Sequence, residues 1–248
     1  MNLIPSFLHR LASPPAFYAV ADRLLPWLWL ASAGLLGYGL VGGLALAPAD
    51  YQQGEGFRII YVHVPAAWMS LFIYTVMAGA AVVTLIWRIK LAECVVTSCA
   101  PIGASFTALA LVTGMLWGKP MWGTFWTWQD ARLVSELILL FLYLGVTGLQ
   151  QAIADPRAAA RACALLAVVG FVNVPIVHYS VEWWNTLHQG PTITKFDKPS
   201  IHVSMLWPLL SAALGFTVFF FAVLLQRVQN ELLWRERGNP WAKEAVAS

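Results

Sequence analysis

Six runs of apolar residues, at about 25–46, 64–87, 96–116, 132–150, 161–180 and 205–226, constrain this chain more than any other feature. Each approaches the roughly 20 residues an α-helix needs to cross the hydrocarbon core of a bilayer. Inside that core no water satisfies the backbone, so a single apolar run can span only as a helix whose N–H and C=O groups bond within it. Apolar residues make up 59% of the chain and charged residues 11%, too little charge to cover a soluble surface. The expectation is an all-α polytopic membrane protein. Residues 1–248 form a single membrane domain with six transmembrane helices in a lipid bilayer, an outer tryptophan-rich segment, and no stretch left for a separate soluble domain.

The connections carry helix breakers: Pro48 and Gly54, Pro120 and Gly123, Asp155-Pro156, and Gly190-Pro191. Pro65 suits the first turn of the second helix. The stretch before residue 25 holds Arg10, Asp22, Arg23 and Pro14-Pro15. It lacks the apolar stretch of a cleaved leader and is expected to remain along the membrane surface. No run shows the midplane interruption common in transporters. Ten Lys and Arg residues fall on the side of both termini and five (Arg58, Lys119, Arg132, Lys195 and Lys198) on the other. The positive-inside bias then predicts cytoplasmic termini, with 47–63, 117–131 and 181–204 facing outward. The basic residues form no stripe, which excludes a nucleic-acid surface. Cys94, Cys99 and Cys163 stand singly, without a zinc or disulfide pattern.

The middle outer segment concentrates indoles: Trp117, Trp122, Trp126 and Trp128, followed by Asp130 and Arg132. An aromatic belt at the headgroup level accounts for single tryptophans. It does not account for the glycines Gly118 and Gly123 or for the acid. Were 121–131 helical, Trp122, Trp126 and Asp130 would form one stripe at i, i+4. That stripe, with glycines allowing close approach, predicts a platform for a large planar ligand. His63 and His188 fall on the same side, and an imidazole on each face of an iron porphyrin is a common axial arrangement. Spacing leaves His178 and His202 as rivals to His188, and puts His9 on the other side. Arg132 and Glu136, one turn apart, are expected to pair; otherwise Arg132 suits a haem propionate.

These residues, together with Ala47-Pro-Ala-Asp-Tyr-Gln-Gln-Gly54, Arg58-Ile-Ile-Tyr-Val-His63-Val-Pro-Ala-Ala67, Ala100-Pro-Ile-Gly103, Trp117 to Leu133 and the run from His178 to Gly190, resemble the CcmC family. Its members are haem-handling membrane proteins of bacterial cytochrome c maturation, within the wider tryptophan-rich (WWD) haem handlers, and the resemblance covers nearly the whole chain. It implies a multi-pass protein of the bacterial inner membrane that binds haem b at the periplasmic face. By position, His63 and His188 become the iron ligands, and 117–131 the haem-binding segment. The implied partners are the haem chaperone CcmE, the ATP-binding-cassette proteins CcmA and CcmB, and the small membrane protein CcmD.

Two positions depart from the family pattern. Gln129 separates Trp128 from Asp130, and an added residue rotates every later side chain by about 100° in a helix; Val134 stands where threonine is usual. The expected function is presentation of haem to CcmE, a presenter rather than a catalyst. Its rivals are a haem exporter and a bis-histidine membrane cytochrome of electron transfer.

Overall fold

The computed structural model describes residues 13–184, 186–188 and 201–247. His9, Lys195, Lys198 and Gly190-Pro191 therefore lie outside the described residues. Helix α1 spans Pro14–Val41 and continues as a π-turn over Gly42–Leu46. A 3₁₀ turn, Glu55–Ile59, leads into α2 (Ile60–Trp87). Then come α3 (Lys90–Trp122), α4 (Ala131–Ala152), α5 (Pro156–Gly170), α6 (Asn173–Trp183), α7 (Val203–Arg235) and α8 (Pro240–Ala247). No strand occurs among the described residues, and six helical stretches are long and apolar enough to cross a membrane.

The helices outrun the apolar windows. Helices α3 and α7 have 33 residues each, about 50 Å at 1.5 Å per residue against a hydrocarbon core of about 30 Å. Hydropathy marks the part that suits lipid, whereas helix ends are set by caps and packing. Residues 14–24 of the expected surface stretch are continuous with α1, which starts at Pro14 with both prolines in its first turn, where a missing N–H costs nothing; residues 1–12 lie outside the described residues. Pro65 falls in the second turn of α2 rather than the first, because the helix begins four residues earlier than its apolar run.

The fifth span runs as one helical stretch, Pro156–Trp183, as the apolar run predicts, but it tightens into a 3₁₀ turn at Phe171–Val172, whose backbone stays right-handed helical. Helices α5 and α6 meet at Phe171–Val172. Pro175 has no N–H to offer the carbonyl four residues back, and Val174 N takes the Phe171 carbonyl instead at 3.0 Å. Asn173, buried just after this turn, donates to the Ser135 carbonyl at 2.9 Å and ties α6 to α4.

Helices α2, α3, α4, α5 and α7 surround the main core, which includes Met69, Tyr74, Cys99, Tyr143 and Phe220. Helix α1 lies outside it and packs along α7. A Cβ at Gly39 would come within 2.5 Å of the Ala212 backbone, so this glycine serves helix contact. At the end remote from the tryptophans, Arg235 bridges Glu93 (3.1 Å) and Glu231 (2.7 Å), and Lys90 pairs with Glu236. These bonds tie the start of α3 to the end of α7.

Candidate functional site

His63 stands in the first turn of α2, and its Nδ1 lies 3.0 Å from Thr113 Oγ1 on α3. The Thr113 hydroxyl is already oriented by the carbonyl of Leu109, at 2.6 Å. It donates there and so accepts from His63, which places the imidazole proton on Nδ1 and leaves the Nε2 lone pair free. A Cβ at Gly114 would approach His63 Cε1 to 2.9 Å, so the ring uses the space that this glycine leaves. Trp117 packs edge-on against His63, with centroids 5.7 Å apart, and against Phe57. Its indole N–H donates to Gln53 at 2.9 Å. Gln53 is presented by the turn that Asp50 caps through the amides of Gln52 and Gln53.

Asp130 caps α4, accepting from Arg132 N and Leu133 N on Oδ1, each at 3.0 Å. Its Oδ2 accepts from Leu187 N at 2.8 Å and lies 3.4 Å from His188 Nδ1. One carboxylate thus fixes both the start of α4 and the segment that carries His188. Burial pushes the Asp130 carboxyl up, but His188 and the amides of Leu187 and Leu133 outweigh that and hold it at about 2. His188 Nδ1 faces the carboxylate without good hydrogen-bond geometry, and its ring lies 5.2 Å from that of Trp122.

His63 and His188 line one cleft, with Arg132, Leu133 and Glu136 from α4 and Ala110 and Gly114 from α3. Its walls come from α2, α3, α4 and α6, so no single stretch of sequence outlines it. Arg132 and Glu136 do not form the expected pair: neither makes an ion pair among the described residues, and Glu136 Oε1 is buried without a partner. Both line the cleft instead of each other. The two rival histidines stand elsewhere. His178 is exposed on α6 against Tyr179, and exposed His202 caps α7 through Ser204 N.

The tryptophan segment is not the helix that would carry a stripe. Gly123, at φ +77°, ends α3 immediately after Trp122, and residues 124–130 form turns in which Thr124 bonds both N and O of Trp126. The turn from Gln129 therefore carries no helical rotation to Asp130. Trp126 and Trp128 meet edge-on at 5.3 Å; Trp128 is 70% exposed, whereas Trp126 buries its Nε1 without a partner. Gly118 makes room for the Trp122 ring, which a Cβ there would meet at 3.0 Å, and not for a ligand. Thr113, Gln53, Gly114 and the Leu187 amide were missed by sequence reasoning. Only the Gly54 turn signal hinted at one of them.

Fold and cleft together define a six-span helical membrane protein with two imidazoles, an arginine and a tryptophan loop gathered at one end of the bundle. The chain belongs to the CcmC family, whose model, described as heme exporter protein C, matches residues 7–243. Heme exporter protein C of Escherichia coli (strain K12) is 51% identical over 239 residues, 96% of each chain. The protein of that name from Bradyrhizobium diazoefficiens is 50% identical, over 91% of this chain and 85% of its own. A putative cytochrome c biosynthesis ccmC-like mitochondrial protein of Marchantia polymorpha is 47% identical, over 82% of this chain and 83% of its own.

Proposed function

We propose that this chain handles haem in cytochrome c maturation: it holds haem b at the periplasmic face of the inner membrane and presents it to the chaperone CcmE. The observation that carries this reading is that His63 and His188, from distant parts of the sequence, line one cleft beside Arg132.

The donor set fits a macrocycle better than a bare ion. No group of three or more His, Cys, Asp or Glu side chains that could hold a metal occurs among the described residues. Two imidazoles suffice where the cargo brings its own four equatorial nitrogens. In this reading His63, its Nδ1–H directed at Thr113, offers Nε2 to the iron. His188 offers Nε2 likewise, with Nδ1 turned toward Asp130, the arrangement in which a carboxylate orients an imidazole ligand. Arg132, without a carboxylate partner, meets a propionate. Trp122 backs His188, while Trp117, Trp126 and Trp128 border the cargo's apolar edge. Both ligands and the tryptophan loop lie at the end of the bundle, which leaves an edge of the cargo accessible to a soluble domain. CcmA, CcmB and CcmD belong to the release of the loaded chaperone.

Export of haem across the bilayer is a second reading. The name carried by the relatives favours it. Haem uptake into sealed vesicles separates the two, because presentation requires no transfer across the membrane.

The test of the first reading is the absorption spectrum, oxidised and reduced, of detergent-purified protein beside His63→Ala and His188→Ala. The expected result is six-coordinate low-spin haem in the wild type, altered in each variant. A wild type that takes up no added haem overturns it.

A further inference from the structure

At the end of the bundle opposite the tryptophans, α3, α4 and α7 border a second cavity of about 510 Å³, within the roughly 300–1,000 Å³ of small-molecule sites. Its lining is polar for a membrane bundle: Thr97, Gln150, Gln151, Arg227, Glu231 and Trp234. Arg227 makes no ion pair among the described residues. Its side chain is exposed, so the guanidinium is available to an anionic headgroup at the mouth of the cavity.

The partners of the other groups define what the cavity can take. Gln150 turns its carbonyl oxygen toward Cys163 Sγ, at 3.7 Å, which leaves its amide N–H groups to donate. Glu231 uses one oxygen on Arg235, at 2.7 Å, and keeps the other. Trp234, 64% exposed, stands at the rim, where an indole suits the boundary between headgroups and acyl chains. An unpaired guanidinium beside an amide donor suits a phosphate, and a half-used carboxylate nearby suits an ammonium. No histidine, methionine or cysteine lines the cavity, so it offers haem iron no ligand.

We propose that this cavity binds the phosphoethanolamine headgroup of a phospholipid. Arg227 and Gln150 hold the phosphate, Glu231 holds the ammonium, and Trp234 lies against the first carbons of the acyl chains. The bound lipid fills the gap between α4 and α7 and fixes the α7 end against α3.

Native mass spectrometry tests this on the delipidated full chain in detergent, titrated separately with phosphatidylethanolamine, phosphatidylglycerol, phosphoethanolamine and haem. The expected result is one tightly held phosphatidylethanolamine, with occupancy reduced about tenfold in Arg227→Ala and less in Arg227→Lys. Glu231→Gln should erase the preference for phosphatidylethanolamine over phosphatidylglycerol while keeping a bound lipid. Lipid adducts unchanged in Arg227→Ala would mean annular lipid only and overturn the proposal. So would phosphoethanolamine binding as tightly as the lipid, or a haem adduct lost specifically in Arg227→Ala. Because Arg227 pairs with no other described residue, the variant should keep the melting temperature of the delipidated wild type and the haem spectrum of the distant cleft. Failure here leaves the haem reading untouched.

Discussion

Asp130 Oδ2 lies 3.4 Å from His188 Nδ1 while Oδ1 of the same carboxylate caps α4. The acid thus couples the position of a candidate ligand to the helix that carries Arg132 and Glu136. Asp130→Ala removes both a cap and an anchor, and should cost about 1–2 kcal/mol of stability by loss of the cap alone. Asp130→Asn keeps an acceptor for the cap but not the charge facing His188. It should melt below the wild type at neutral pH and converge with it as pH falls toward 2, and it should bind added haem less tightly, about 10-fold or more. Equal haem affinity in Asp130→Asn and the wild type would separate the carboxylate from the site.

The same acid predicts a pH dependence. Its folded carboxyl sits at about 2, below the roughly 3.9 of an unfolded aspartate. The contribution is therefore fully present above about pH 4 and lost as pH falls toward 2, worth about 2 kcal/mol. Chemical unfolding in detergent between pH 5 and 2 should show a drop in the wild type that Asp130→Asn lacks, on the scale of those values. Parallel curves would rule out Asp130 as its source.

Thr113 fixes the tautomer of His63. Thr113→Val keeps the shape and removes the acceptor, so haem should dissociate about 10-fold faster, by the usual weight of groups that orient a ligand. Thr113→Ser should restore it. Stopped-flow transfer of haem to an apo-globin scavenger reads the rate.

Gly114 gives His63 its space. Gly114→Ala should push the imidazole aside and shift the spectrum from low-spin toward five-coordinate without unfolding the protein. A normal spectrum would mean that the ring does not need this position to ligate.

The tryptophans are not equivalent. Trp122→Ala removes the ring against His188, whereas Trp128 is largely exposed. Haem content after purification should fall clearly in Trp122→Ala, further when Trp126→Ala is added, and little in Trp128→Ala. The reverse order would move the platform to the loop tip.

Six spans, the family and the crowding of tryptophan, acid and arginine at one connection were all legible in the sequence. Hydropathy and short motifs are properties of neighbouring residues, and a bilayer forces apolar runs into helices whatever they later pack against. Three relationships were not legible. Whether 121–131 continued as a helix turned on the left-handed backbone of Gly123, which a sequence window cannot tell from any other glycine near a helix end. Whether Arg132 met Glu136 depended on the space that α2, α3 and α6 left in front of α4, not on their spacing of four. The choice of His188 over His178 and His202 as the cleft-lining histidine came from Asp130 holding the Leu187 amide. The sequence determined which chemistry this protein carries and on which connections; only the tertiary structure decided which of those groups face one another, because facing is set by helix packing between residues far apart in the chain.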